Sequence, residues 1–299
     1  MDLNKLKRLV KIQVLYLLNC CIYRKSRFTE NSVTCIIFSR DRAMQLETLL
    51  NSIERYALKK FDIIVQYSYS PNHEQSYQQL INEFPNVLFV KETSVNKTLK
   101  EILKNIKSKY MFYLVDDQVF IRDFDVEEAL TQVNKHYFFS MRMGKNIINY
   151  GIKDIPLKPN YKECGKFIKW SFKDNKGVHT WGYQFSVDAH IYRTIDVLRC
   201  TMSIPFKAPN TYEANMNSVF FFKTRAKGCT AFSMPVVVNL ILNASRHEYG
   251  YEDCESGEYN TDNLLNLFNS GHEFDLEKIA IIKYKSAHHI INDINCILK

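Results

Sequence analysis

An α/β fold with a mostly parallel, Rossmann-like sheet flanked by helices is predicted by three observations. From Ser32 onward, apolar runs of strand length alternate with stretches of helical period. These runs are apolar along their whole length, as in strands buried on both faces, rather than alternately apolar and polar. One of them, Tyr110-Met111-Phe112-Tyr113-Leu114-Val115, holds neither glycine nor proline and closes on Asp116-Asp117.

Taken in order, Val33-Thr34-Cys35-Ile36-Ile37-Phe38 reads as the first buried strand, and Met44, Leu46, Leu49, Leu50 and Ile53 then keep a helical period. A second strand is expected over Asp62 to Tyr69, a helix over Glu74 to Phe84, and a third strand over Asn86 to Val90. An amphipathic helix over Thr98 to Ile106 leads into the strand that ends at the aspartate pair. This alternation implies parallel pairing through right-handed crossovers. Past residue 120 the pattern loosens into a helix over Asp125 to Val133, a strand over His136 to Met143, and a loop-rich stretch from 145 to 184 holding Trp170 and Trp181. Helices are predicted over Ser186 to Leu198 and Asn210 to Lys223, and one strand over Ala231 to Leu242. The chain thus divides into a basic amphipathic N-terminal segment (1–31), a ligand-binding half (32–144) and a looser second half (145–299) of the same domain.

With 46% hydrophobic and 24% charged residues in 299, the composition is that of a globular protein with a sizeable core. The net charge of +8 suits anionic ligands such as nucleotide phosphates, or an anionic membrane surface. Nucleic acid is not an expected partner, because no zinc-finger spacing, RNA-binding signature or aromatic-basic repeat is present. Eight scattered cysteines form no C-x-x-C pair, which favours reduced thiols in a cytoplasmic protein. The uncharged stretch from Ile12 to Tyr23 is too short to span a bilayer and lacks a signal-peptide cleavage site. With the flanking Lys5, Lys7, Arg8, Lys11, Arg24, Lys25 and Arg27, it suits a helix lying on the inner face of a membrane or packed on the protein's own body.

The aspartate pair is the clearest chemical signal. Open α/β sheets bind ligands outside the carboxyl ends of their strands. Two carboxylates there supply hard oxygen ligands for Mn²⁺ or Mg²⁺, ions that ride on nucleotide phosphates. A polar turn after a strand is the simpler account of the same residues. Neither G-x-G-x-x-G after the first strand nor a P-loop occurs. A nucleotidyltransferase, which needs a glycine-rich loop after that strand, is disfavoured because none of the 9 glycines precedes residue 144.

Ile36-Ile37-Phe38-Ser39-Arg40-Asp41-Arg42, followed by Leu46…Leu49-Leu50-x-Ser52-Ile53 and a strand ending in Asp116-Asp117, resembles family-2-like glycosyltransferases of the GT-A fold that build bacterial surface polysaccharides. The resemblance covers residues 32 to 120 well and the rest loosely. It implies that Ser39, Arg40 and Arg42 touch the nucleotide, that Asp116 reaches the ribose or the metal, and that Asp117 holds the metal bridging the diphosphate. Gln118 stands where many relatives carry a third acid. The second strand ends Gln66-Tyr67-Ser68, so no acidic base reader carries over, although Tyr67 is placed to stack on a base. An inverting transfer also needs a carboxylate base. Glu213, in the helix start Pro209-Asn210-Thr211-Tyr212-Glu213, is the first candidate, and Asp188, read as a first-turn acid behind a Ser186 cap, is the second. His190, Trp181, Met141-Arg142-Met143-Gly144 and the late histidines His247, His272, His288 and His289 are further pocket or metal candidates. The implied function is metal-assisted transfer of a sugar from a nucleotide-diphosphate donor to a glycan or lipid-linked glycan. The alternative is an inactive GT-A-like subunit that binds a partner or membrane.

Overall fold

A computed structural model describes residues 3–150, 155–224, 226–243 and 259–299. Helix α1 (Leu3–Ile22) precedes a regular alternation of β1 (Glu30–Arg40), α2 (Ala43–Tyr56), β2 (Asp62–Ser68), α3 (Glu74–Glu83), β3 (Leu88–Lys91), α4 (Val95–Asn105) and β4 (Ser108–Val115). Then come β5 (Gln118–Phe120), α5 (Val126–Leu130), β6 (Tyr137–Ser140), the short pair β7 (Asn149–Tyr150) and β8 (Ile155–Pro156), β9 (Lys162–Cys164) and β10 (Phe167–Ser171). The remainder is α6 (His179–Gly182), β11 (His190–Arg193), α7 (Thr194–Thr201), α8 (Pro209–Thr224), β12 (Gly228–Phe232), β13 (Val237–Ile241), α9 (Thr261–Asn269), α10 (Leu276–Ala280) and β14 (His288–Ile290).

Nine strands form one sheet in the order β3-β2-β1-β4-β11-β6-β12-β10-β9. The first four are parallel, with Ile37 level with Val65 on one side and Leu114 on the other. Only β11 and β10 run against the rest, so the mostly parallel sheet flanked by helices is as predicted. Both faces are covered. Cys35 and Ile37 of β1 join the core under α2 and α3, while Ile36 and Phe38 join the core under α4, α7 and α8. That two-sided burial explains why the strand reads as an unbroken apolar run. Helix α4 buries Val95, Leu99, Ile102 and Leu103 on one face. It starts where Ser94 accepts a hydrogen bond from the Lys97 amide, a cap that contributes ~1 kcal/mol. A second sheet, β14-β13-β5, sits at the end of β4.

The second half departs from expectation in several places. The helix predicted from Ser186 begins only at Thr194. Ser186–Ala189 form a turn with Ala189 at φ 54°, and β11 pairs antiparallel with β4 and β6, burying Ile191 and Tyr192. Ser186 therefore caps no helix, and Asp188 is a turn residue. The single strand predicted over Ala231 to Leu242 is two, because β12 belongs to the large sheet and β13 to the small one. Pro235, which has no amide to give a ladder, falls between them. The helix over Asp125 to Val133 shrinks to α5, capped by the Asp125 carboxylate, and the strand over His136 to Met143 shrinks to β6. The stretch from 145 to 184 adds two strands to the sheet edge. Its tryptophans are core residues, with Trp170 donating to the Trp181 carbonyl at 2.9 Å and Trp181 donating to the Ile147 carbonyl at 3.0 Å.

Candidate active site

The carboxyl ends of β2, β1 and β4, the first turn of α8, and residues of β13 and β14 enclose a cavity of about 270 Å³. Ser39, Arg40, Arg42, Asp116, Asp117, Asp188 and Glu213, the residues read in the sequence as nucleotide, metal and base candidates apart from Tyr67, all line it.

The apolar burial of β4 carries Asp116 to the lip of the sheet, where its amide donates to the Phe38 carbonyl at 3.2 Å. Its carboxylate accepts from the Arg40 amide at 3.1 Å and from Arg42 Nη1 at 3.0 Å. Arg42 is buried; its Nη2 donates to the Asn243 carbonyl at 2.7 Å and its Nη1 lies 3.6 Å from Asp117. This arginine ties the aspartate pair to the second half of the chain and is held by protein groups on both sides of its fork. The Arg40 side chain is 56% exposed and lies against Asp41, which leaves it available at the cavity rim. Asp41 does not cap α2. At φ 54° it turns back, and its carboxylate accepts from the Ser70 amide and hydroxyl at 2.5 and 2.9 Å.

Asp117 is set differently. Asn239 Nδ2 donates to it at 3.3 Å, and its carbonyl accepts from the Leu240 amide at 2.7 Å. Burial pushes its carboxyl up to about 7; Arg42 opposes the shift, while Asp116 and Asp188 add to it. Gln118, where a third acid was absent, is wholly buried. It accepts from the Val115 amide at 3.1 Å and donates to Asn239 at 3.1 Å, so it pins β4 to β13 and does not line the cavity.

A second cluster faces the same cavity. Arg142, 2% exposed, donates to Asp188 at 2.5 Å and to the Ser186 hydroxyl at 3.2 Å, and its Nη1 lies 3.3 Å from His288 Nε2. Burial pushes the Asp188 carboxyl up, but Arg142, then His288 and His190, pull it down and prevail, so it is held ionised below the usual carboxylate range. Glu213 goes the other way. Burial and the neighbouring Asp188 charge push it up to about 7 against Arg142 and hydrogen bonds from Ser186 and the Val187 backbone. Two acids side by side with carboxyl affinities driven apart are a recurrent acid/base arrangement. His288 is pushed down to about 4 by burial and Arg142, which keeps its imidazole neutral.

Other candidates lie elsewhere. Tyr67 is absent from the cavity wall. Side chains alternate along β2, so Gln66 faces the cavity while Tyr67 is buried and stacked on Tyr77 at 5.3 Å. Trp181 is fully buried, and His190 packs on Phe138 with its Nδ1 3.0 Å from the Asp188 carbonyl. Of the late histidines, only His288 among the described residues reaches the cavity. His289 packs on Tyr284, His272 is exposed, and His247 lies outside the described residues. Sequence reasoning missed Arg142 as the partner of Asp188, and Glu92, Asn239 and Asn243 as wall residues. Glu92 accepts from Gln66 at 2.9 Å and Ser68 at 2.8 Å, so the acid absent from the end of β2 arrives from just beyond β3.

The donor set suits a divalent cation. Five acidic side chains (Glu92, Asp116, Asp117, Asp188 and Glu213) line the cavity, and of the aspartate pair Asp117 is the member less engaged by protein. Among the described residues no three His, Cys, Asp or Glu side chains converge to hold a metal. A cation at Asp117 would therefore take its other ligands from phosphate and water, as Mg²⁺ commonly does.

Comparison with known proteins finds a glycosyltransferase among the proteins this chain is similar to. The chain is 32% identical over 193 residues, 57% of its length, to the bifunctional glycosyltransferase pgtA of Dictyostelium discoideum, of which the match covers 25%. The chain thus spans about a quarter of that curated relative. No family model matches. Among solved structures it is similar to Staphylococcus aureus TarS 1-349, with 14% identity and TM-score 0.46, covering 80% of this chain and 74% of that one. The same protein in complex with UDP-GlcNAc matches with 14% identity and TM-score 0.42 over 68% of this chain and 56% of that one.

Proposed function

We propose that this protein is an inverting, metal-assisted glycosyltransferase that moves a sugar from a nucleotide-diphosphate donor to a hydroxyl of a glycan or lipid-linked glycan. One observation carries the reading: the aspartate pair at the end of β4 and the Asp188–Glu213 pair open into one cavity. Ser39 in the buried wall and Arg40 at the rim meet the nucleotide, with the arginine fork suited to phosphate. Asp117 would hold Mn²⁺ or Mg²⁺, which would neutralise charge on the leaving diphosphate. Asp116 positions Arg42 and through it the floor of the donor site. Glu213, with a carboxyl near 7, accepts the proton of the acceptor hydroxyl. The acceptor oxygen then bonds to the anomeric carbon as the carbon–oxygen bond to the diphosphate breaks, and the diphosphate leaves with the electron pair. Asp188, kept ionised by Arg142, raises the basicity of Glu213. Among the described residues no two cysteines are joined by a disulfide.

The test is thermal stabilisation by UDP, GDP, dTDP, CDP and CMP, each with and without Mn²⁺. A metal-dependent shift with one nucleoside diphosphate that disappears in Asp117→Ala supports the donor site. No shift with any nucleotide in folded protein removes it. A second reading, a binding subunit without turnover, draws on the engagement of Asp116 by Arg42 and on the absence of an acid at Gln118. Slow hydrolysis of the donor sugar separates the two, since only an enzyme shows it.

A further inference from the structure

Helix α1 is 20 residues long, about 30 Å at 1.5 Å per residue. That is enough to cross a bilayer, yet no helix among the described residues is apolar enough to do so. One side of α1 is docked on the body. Ile12 and Asn19 are buried, Asn19 donates to the Ser203 hydroxyl at 3.0 Å, and Arg199 donates to the Tyr23 carbonyl at 2.6 Å. Arg8 reaches Asn215 of α8 at 2.6 Å. Among the described residues the opposite side has no such cover. Leu6, Val10, Val14 and Leu17 recur at helical spacing along one stripe, joined by Leu18 and Ile22, and the last five are 51–67% exposed. A helix kept for the core alone places its apolar side chains inward.

The charge around this stripe points to its occupant. From Leu3 to Thr29 there are seven lysines and arginines and no acidic residue. Exposed Lys7 and Lys11 border the stripe, and exposed Arg24 and Lys25 follow its end. The Arg27 guanidinium donates to the Lys104 carbonyl, which brings the exposed Lys104 and Lys107 beside the same end. An apolar stripe rimmed by cations complements an anionic lipid surface, where the side chains enter the acyl boundary and the lysines meet phosphates. A second protein copy would bring the same positive charge to the contact and be repelled by it.

We infer that the exposed face of α1 is a membrane-docking surface that lies in the plane of an anionic bilayer and holds the cavity close to it. The link to the cavity is short, because α8, which Arg8 contacts, also supplies Pro209, Asn210 and Glu213 to the cavity wall. This inference does not depend on the catalytic assignment.

The experiment is sedimentation of the full chain with vesicles of phosphatidylcholine mixed with phosphatidylserine, and with vesicles of phosphatidylcholine alone. Binding is expected on the anionic vesicles and should weaken as salt is raised. Val14→Asp with Leu17→Asp should lower it at least about tenfold, because two charges replace inserted apolar side chains. Lys7→Glu with Lys11→Glu should lower binding to the anionic vesicles by tenfold or more, at roughly 1 kcal/mol per basic residue near the surface. All four side chains are exposed, so unfolding temperature and nucleotide response should match wild type in both variants. No binding to either vesicle, or binding that the Val14→Asp/Leu17→Asp pair leaves intact, overturns the inference. A dimer in solution that the same pair dissolves, without vesicle binding, also overturns it by assigning the face to a second copy.

Discussion

Replacing Arg142 with methionine isolates the electrostatics of the second cluster. The guanidinium is buried, 2.5 Å from the Asp188 carboxylate and close to His288. Methionine keeps much of the length and none of the charge, so Asp188 and Glu213 are left facing each other with no buried cation between them. Breaking a buried ion pair from one side costs about 3–5 kcal/mol. At about 3 °C per kcal/mol for a chain of this size, the unfolding temperature should fall about 9–15 °C at pH 8. The loss should shrink on acidification. In the wild type the lowered Asp188 carboxyl contributes stability above its unfolded value of 3.8, and that contribution is lost as pH falls through the folded value. In the variant burial acts unopposed by Arg142, so ionised Asp188 becomes a liability that grows with pH. Glu213 loses its Arg142 counterweight in the same direction, and His288, freed of Arg142, charges more readily at low pH and offsets Asp188. Thermal unfolding at pH 5 and pH 8, with Arg142→Met/Asp188→Asn as a double variant, measures this. The gap from wild type should narrow at pH 5, and the double variant should regain most of the loss. A fall under about 3 °C, or an equal fall at both pH values, refutes the account.

Glu213→Gln should lower transfer by about 10²–10⁴-fold, and the wild-type rate should fall on the acid side of an apparent value near 7. Because the raised Glu213 carboxyl favours its neutral form in the fold, its stabilising effect is present at acid pH and fades as pH rises through 7. Glu213→Gln should therefore unfold at higher temperature than wild type at pH 8 and at about the same temperature at pH 5; the reverse order would contradict the assignment. Asp117→Asn should abolish any Mn²⁺-dependent stabilisation by nucleotide while leaving the circular dichroism spectrum unchanged. Gly228→Ala should destabilise by roughly 3 kcal/mol or more, because the added Cβ would lie 1.9 Å from the Trp170 carbonyl oxygen across the β12–β10 ladder; urea unfolding would show it.

The first half of the fold was legible because its strands are buried on both faces and its helices are amphipathic, so local pattern and tertiary role coincide. The Ser39–Arg42 loop and the aspartate pair were found for the same reason, since each directly ends a recognisable strand. In the second half the two diverge. Ser186–Leu198 carries a helical period throughout, yet pairing with β4 draws His190–Arg193 into the sheet. One apolar run from Ala231 to Leu242 serves two sheets. Asn239 and His288 join the cavity wall, and Arg142 pairs with the wall residue Asp188, only through contacts spanning 46 to 146 positions, for which no local spacing is diagnostic. Gln118 shows the opposite case: its departure from the resemblance was visible, but its function as a buried clamp between β4 and β13 was not.

The Arg42–Asn243 and Asp117–Leu240 hydrogen bonds bear on how the chain is made. During synthesis, residues 32–144 leave the ribosome long before residues 239–243 exist. A nascent first half lacks the partners that fix Arg42 and Asp117, so the cavity wall is incomplete at that stage. The cavity is completed only after most of the polypeptide has emerged, which makes its assembly a late event in the making of the chain.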